Sequence, residues 1–277
     1  MTVTFHGVRG STPCHGPDIV RYGGNTSCVS LAVPGHDPVL FDLGTGLRYF
    51  GASCDQAAPF RGTCLVSHLH WDHIQGLPFF KPFLFDGSHV DIYGPEQTDG
   101  GTVAEVFADT IKPPLFPIHL ATFPGTVEFH DVGDDEFTIG EIEVVSRLIP
   151  HVGPTVGYRA TWNGRSVAYL SDHQMPADGS YTTSPGVYDL CRDVDLLIHD
   201  AQYRHDEFER KSTWGHCTPD FAVWLAASAG AKRLAFFHHD PAHSDDDLDE
   251  MLGTAIECAE RLGIDAFAAR ESLSITV

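Results

Sequence analysis

Four side chains of the kind that bind metal ions fall within the short run Ser67-His68-Leu69-His70-Trp71-Asp72-His73. Imidazole nitrogen and carboxylate oxygen, with no thiolate required, suit zinc and also iron, manganese or nickel. The run follows an apolar stretch, Cys64-Leu65-Val66, and precedes a candidate short helix, so it reads as a strand-to-helix turn. In extended chain His68 and His70 point the same way. Asp72 and His73, in the turn, can reach a second metal beside the first. A lone histidine is usually a surface residue or a satisfied core residue; four ligand types in one turn read as a site.

A second pattern points to the same place. Apolar runs end in ligand-type residues at His68 (run 64–67), His151 (144–150), Asp172 (167–171), His199-Asp200 (196–198) and His238-His239 (234–237). Strands lying side by side would bring these groups to one rim, where open sheets bind ligands. The chain carries 17 histidines, and histidine is the commonest metal ligand. His6, His15, His36, His89, His119, His130, His205 and His243 read as surface or structural residues.

The elements that must position these groups are mostly strands. Short apolar, β-branched runs at 2–8, 27–33, 38–42, 63–67, 90–93, 126–129, 142–149, 156–162, 166–170, 195–198, 233–237 and 272–277 are bounded by Gly, Pro, Asp or Asn. Asn163-Gly164 between two of them predicts a hairpin, because a type I′ turn needs positive φ at both central residues. Thr218-Pro219-Asp220 predicts a helix start, continued over 221–229 and stopped by Gly230. A second helix is expected over 245–262, with Leu248, Leu252, Ala255, Ala259 and Leu262 on one stripe. Weaker signals mark 103–111 and 74–80. Strands early, then strands interleaved with helices, predict two sheets covered by helices in one domain over 1–277.

Composition narrows the function. Of 277 residues, 42% are hydrophobic and 20% charged, enough for a full core. The formal charge of −21 repels polyanions, so a long nucleic acid is a disfavoured partner. The acidic run from Asp240 to Glu250 reads as a solvated helix start. Seven scattered cysteines, with no Cys-x-x-Cys pair, argue against a disulfide framework or a zinc ribbon. Residues 1–8 lack the basic start and apolar run of a signal peptide. No apolar stretch approaches the roughly 20 residues needed to span a bilayer. The expected address is the cytoplasm, with no membrane partner. A homodimer is allowed; the residues do not specify assembly.

The series His-x-His-x-Asp-His, then His151 ahead of Gly157-Tyr158, then Asp172 after Tyr169-Leu170-Ser171, then a late histidine after an apolar strand resembles the metallo-β-lactamase-fold hydrolases. The similarity covers nearly the whole chain, and Asp42-Leu43-Gly44-Thr45-Gly46 resembles that family's early Asp-x-Gly turn. The resemblance implies an α/β fold, an αββα sandwich of two mixed sheets flanked by helices, with two divalent metal ions. It implies that His68, His70 and His151 hold one ion and Asp72, His73 and His238 the other, with Asp172 bridging. His238 matches the family position better than His239. A di-iron oxidoreductase is disfavoured, because that branch carries a carboxylate at the position of His70.

Arg9-Gly10-Ser11-Thr12-Pro13 and Arg21-Tyr22-Gly23-Gly24-Asn25-Thr26-Ser27-Cys28 resemble the opening of bacterial members grouped near ribonuclease Z and the cyclic-phosphate phosphodiesterases. His199-Asp200-Ala201 and Gly215-His216-Cys217-Thr218 are similar to ribonuclease Z segments in which histidine and carboxylate assist proton transfer; Asp200 stands where glutamate is usual. The implied mechanism has two ions roughly 3.5–4 Å apart sharing a hydroxide that attacks phosphorus. Asp72 and Asp172 orient it, and His216, helped by His199 or Asp200, protonates the leaving alkoxide. Arg9, Arg21, Asn25 and Thr26 are candidates for holding the rest of the substrate, and Gly23-Gly24-Asn25 reads equally as a phosphate cradle or a tight turn. No basic, glycine-rich arm for gripping tRNA stands out, with 94–117 the place to look. The expected substrate is therefore a small or cyclic phosphodiester. The alternatives are an RNA-processing nuclease, a lactone or thioester hydrolase, and a metal-binding sensor without turnover.

Overall fold

In the computed structural model, which describes residues 1–98 and 100–277, the apolar runs pair into two sheets of seven strands each. Sheet one holds β1 (Thr2–Gly7), β2 (Cys28–Ala32), β3 (Val39–Phe41), β4 (Arg61–Leu65), β5 (His89–Pro95), β6 (Thr126–Val132) and β14 (Ser274–Thr276). Its order is β14-β1-β2-β3-β4-β5-β6. Sheet two holds β7 (Glu136–Ile139), β8 (Ile142–Leu148), β9 (Val156–Trp162), β10 (Arg165–Leu170), β11 (Leu196–Asp200), β12 (Arg233–Phe237) and β13 (Asp265–Ala268), ordered β13-β12-β11-β10-β9-β8-β7. The helices are α1 (Leu47–Ser53), α2 (Trp71–Ile74), α3 (Val103–Thr110), α4 (Pro185–Cys191), α5 (His205–Lys211), α6 (Pro219–Ala229) and α7 (Asp245–Arg261).

Period-two alternation sorts the side chains into layers. Phe5, Leu31, Phe41 and Leu65 of sheet one meet Val144, Tyr158, Tyr169, Ile198 and Phe237 of sheet two in the central core. On the outer face of sheet two, Leu170, Leu197 and Phe236 pack against Leu190 of α4, Leu225 of α6 and Leu252 of α7. On the outer face of sheet one, Leu40, Cys64 and Ile92 meet Leu47 of α1 and Phe107 of α3. This is the αββα sandwich. Each such aliphatic side chain contributes roughly 1.5–3 kcal/mol by leaving water.

Local signals set several boundaries. Thr218 Oγ1 accepts from the Phe221 N–H, Pro219 occupies the first turn, and Gly230 ends α6 at φ +73°. Ser244 and Asp247 form a capping box on α7, as Thr102 and Glu105 do on α3. The acidic run is therefore only partly a solvated helix start. Asp245 is buried, accepting from the backbone N–H groups of Arg21 and Tyr22, while Arg21 pairs with Asp246 and Asp249. Asn163 and Gly164 both take positive φ in the β9–β10 hairpin. The expected helix over 74–80 splits into α2, ending at Ile74, and a 3-10 turn at Leu77–Phe79. Segment 94–117 holds α3 against sheet one and a single basic residue, Lys112; Asp99 within it lies outside the described residues.

The topology makes the rim. β3 to β6 are parallel neighbours, as are β10 to β13. β8 runs with β10 because each is antiparallel to β9. The chain leaving β4, β8, β10, β11 and β12 therefore emerges at one edge of the sandwich.

Candidate metal centre

At that edge two groups of ring nitrogens converge. His68 Nε2 lies 2.8 Å from His70 Nδ1, which lies 3.3 Å from His151 Nε2. A few ångströms away, His238 Nε2 lies 3.3 Å from His73 Nε2 and 3.2 Å from Asp72 Oδ2. Asp172 stands between the groups. Its Oδ2 is 3.7 and 3.6 Å from His68 and His151 Nε2. Its Oδ1 is 3.3 and 3.2 Å from His73 and His238 Nε2.

The outward ring atoms show which nitrogens keep a lone pair. His151 Nδ1–H donates to the Gly215 carbonyl at 2.7 Å, and His73 Nδ1–H to Asp42 Oδ2 at 2.7 Å. Ser67 Oγ donates to Asp42 and accepts from His68 Nδ1–H at 3.1 Å. In each ring Nε2 is left as the acceptor aimed inward, and fixing the far nitrogen is what orients a metal-binding histidine. Burial first, then neighbouring imidazoles, pushes His68 well below its ordinary pKa. Burial likewise lowers His70, and takes His151 to about 4 despite the pull of Asp172. Neutral rings are the metal-binding form. The other group calls for positive charge. Burial opposes protonation of His73, yet Asp72, Asp172 and Asp42 together raise it well above its usual value. Asp72 and Asp172, though buried, are held far below the carboxylate range by the surrounding histidines. The donor set therefore fits two divalent cations: three imidazole nitrogens with Asp172 Oδ2, and His73, His238 and Asp72 with Asp172 Oδ1.

The beta-lactamase superfamily domain model matches residues 39–239. The chain belongs to that family of hydrolases. A ribonuclease Z of Synechococcus sp. (strain CC9311) is 27% identical, over 88% of this chain and 89% of its own length. The short form of human tRNase Z superposes with a TM-score of 0.71 at 22% identity, covering 100% of this chain and 99% of that one. A diphosphatase from the PhnP family gives 0.70 at 19% identity, over 100% and 97%. The sandwich is the metallo-β-lactamase fold, and among the described residues no helix is long and apolar enough to cross a membrane.

In this hydrolase His216 and Asp200 sit beside the two groups. His216 Nδ1–H donates to Asp200 Oδ2 at 2.7 Å and lies 3.7 Å from Asp172 Oδ2. Burial would lower the His216 pKa; the Asp200 charge and hydrogen bond outweigh it and raise the ring. Asp200 Oδ1 is held by the N–H groups of Gln202 and Cys217.

His199 is a correction. It was expected to help His216, but strand alternation sends it to the opposite face of β11 from Asp200. There His199 Nδ1–H donates to the Asp200 carbonyl, and Nε2 accepts from His173 at 2.8 Å, against Phe221 of α6. The proposed substrate holders are also otherwise engaged. Arg9 is 0% exposed and donates to the carbonyls of Gly23, Asp240 and His243. Asn25 bonds Glu271 through both backbone and side chain, and Thr26 exchanges hydrogen bonds with Thr45. The Gly23-Gly24-Asn25 segment is thus a turn around Glu271, whose carboxylate already fills the space a Gly23 Cβ would need.

Sequence reasoning undervalued Asp42. It is fully buried and accepts from His73, the Ser67 N–H, Ser67 Oγ and the Tyr169 hydroxyl. The Asp42-Leu43-Gly44 motif was the available signal, and in the structure Asp42 takes a φ of +57° in that turn. Ser11 and Gly10 were missed as well. The Ser11 N–H donates to Asp72 Oδ2 at 2.7 Å, and Gly10 packs against His238, where a Cβ would meet Cε1 at 2.4 Å.

Proposed function

We propose that this chain is a dinuclear metal-dependent phosphodiesterase acting on a small or cyclic phosphodiester in the cytoplasm, with residues 1–277 working as one hydrolase domain. His68, His70, His151 and Asp172 would hold one cation and Asp72, His73, His238 and Asp172 the other, zinc being the best match to this nitrogen-rich set. The observation that carries the reading is Asp172, whose two oxygens face different ligand groups 3.2 to 3.7 Å away. When bound, such cations activate water and neutralise charge on phosphoryl oxygens.

The chain's own residues supply the rest. Asp72 and Asp172 fix the donor geometry, and Asp42 and Gly215 lock the rings of His73 and His151. His216, charged through its bond to Asp200, holds a proton beside the site and delivers it to the departing alkoxide. A proton donor of this kind suits an ester whose leaving group is basic. The net charge of −21 favours a small substrate over a polyanion.

The second reading, an RNA-processing nuclease, is favoured by the ribonuclease Z relative. Metal-assayed protein should contain about two equivalents and hydrolyse bis(p-nitrophenyl) phosphate and cyclic nucleotides in preference to precursor tRNA at matched salt. Asp172→Ala should remove both metal and turnover. Undiminished turnover by metal-stripped protein, or cleavage confined to precursor tRNA, would overturn the reading.

A further inference from the structure

The buried imidazoles of the site have their far nitrogens held, with one exception. Ser67 takes the proton of His68, Asp42 that of His73 and the Gly215 carbonyl that of His151. His238 is buried too, yet its Nδ1 has no hydrogen-bond partner among the described residues. Asp200 Oδ2 lies 3.8 Å from it, too far for a hydrogen bond, and already accepts from His216.

A second buried atom lacks a partner at the same spot. Gln202 is buried, and its Oε1 accepts from no donor among the described residues. A Cβ built on Gly10 would lie 2.6 Å from His238 Nδ1 and 2.7 Å from Gln202 Oε1, so both atoms face one point over the Gly10 backbone. Topology brings them together. β11 and β12 are parallel with Asp200 beside Phe237, and the Ala201 N–H donates to the Phe237 carbonyl. The Gln202 N–H is fixed to Asp200 Oδ1, and the Gly10 N–H to the His239 carbonyl. The two side-chain atoms are chemically complementary. His238 Nε2 points at Asp72 and Asp172, 3.2 Å from each, which leaves the ring proton on Nδ1. A buried donor without an acceptor thus faces a buried acceptor without a donor. Either alone destabilises the folded chain, and an apolar side chain at 202 would remove that cost.

We propose that Gln202 is a positioning residue for the ion site of Asp72, His73 and His238, its Oε1 accepting from His238 Nδ1–H once that site is loaded. The proposal rests on the dinuclear reading above. The bond would fix the tautomer and plane of His238 as Asp42 fixes those of His73. A neutral amide does so without adding another negative charge beside Asp72, Asp172 and Asp200.

The test titrates Zn²⁺ alone into chelator-stripped, full-length protein by calorimetry, with urea unfolding of the metal-free form in parallel. In Gln202→Leu one of the two ions should bind about 10- to 100-fold more weakly and the other as in wild type. The metal-free variant should nevertheless have a urea midpoint no lower than wild type, because it loses a buried polar atom that had no partner. Gln202→Glu, which keeps an acceptor at the same place, should restore the affinity. In zinc-loaded protein labelled with ¹⁵N-histidine, an Nδ1–H signal present in wild type and Gln202→Glu should be lost to exchange in Gln202→Leu. Wild-type affinity for both ions in Gln202→Leu would overturn this proposal alone. So would weakened binding that comes with a lower urea midpoint and is not rescued by Gln202→Glu, since that is general loosening. Wild-type protein that binds no pair of ions would overturn the dinuclear reading, and this proposal with it.

Discussion

Asp200→Asn isolates the proton-delivery step. Asp200 Oδ1 accepts from two backbone N–H groups, at 3.0 and 3.2 Å, and only Oδ2 faces His216. In the variant the amide oxygen keeps the backbone partners, so the amide nitrogen confronts His216 Nδ1. Two donors cannot pair, and the imidazole shifts its proton to Nε2 and loses its stabilised cationic form. A hydrogen bond to a charged group contributes about 1.5–3 kcal/mol, and each 1.36 kcal/mol is tenfold in rate, so kcat should fall about 10- to 150-fold. That loss belongs only to leaving groups that need a proton. Paired substrates test it: an alkyl phosphodiester should show the full drop, whereas a p-nitrophenyl ester, whose phenolate departs unaided, should change by less than about threefold. Metal content, assayed in parallel, should stay near wild type. Equal losses on both esters, or none on the alkyl ester, would refute the assignment of His216 as proton donor.

Other expectations follow from the same geometry. Asp42→Ala strands buried donors on His73, Ser67 and Tyr169; denaturant titration should show a loss of about 3–5 kcal/mol, and dialysis about 10- to 100-fold weaker metal binding. Gly10→Ala would place a Cβ 2.4 Å from His238 Cε1 and 2.7 Å from Gln202 Oε1, so calorimetry should find one of the paired metal sites weakened and the other retained. Asp195 gives a pH-dependent case. Burial would raise its pKa, but Lys232, the Ser166 N–H and Arg165 together lower it from 3.8 to about 2. Its contribution is therefore complete above pH 3.8 and lost as pH falls through about 2. Because Lys232 and Arg165 are 61% and 58% exposed, screening holds that contribution to on the order of 1 kcal/mol. The stability gap between wild type and Asp195→Asn should close over that window in acid unfolding; a gap that persists below pH 2 would contradict the assignment.

Much of the molecule was legible in its sequence where the cause is local. Pro219 and Gly230 bound α6, the stripe of Leu248, Leu252 and Ala259 marked α7, and Asn163-Gly164 specified a hairpin, because each depends on one residue's own φ or on helical periodicity. Short elements escaped. β7 and β13 have four residues each and exist by pairing with β8 and β12, while α1 lacks a side-chain cap and α5 is charged along most of its length.

The candidate site divides the same way. His68, His70, Asp72 and His73 crowd one turn, so spacing alone declared them. His151, Asp172, Asp200 and His238 join them only because parallel strands of two facing sheets end at one edge. Which neighbour turns inward was a tertiary decision. Strand alternation gives the site Asp200 and removes His199. A positive φ of +59° at His238 breaks the alternation after β12, aiming that ring inward while His239 bonds the Ala269 carbonyl. Arg9 shows the limit most clearly: its type suggested a substrate anion, and burial against three carbonyls made it a brace instead. Residue type and spacing specify what a side chain is able to bind; the pairing of distant strands specifies what it meets.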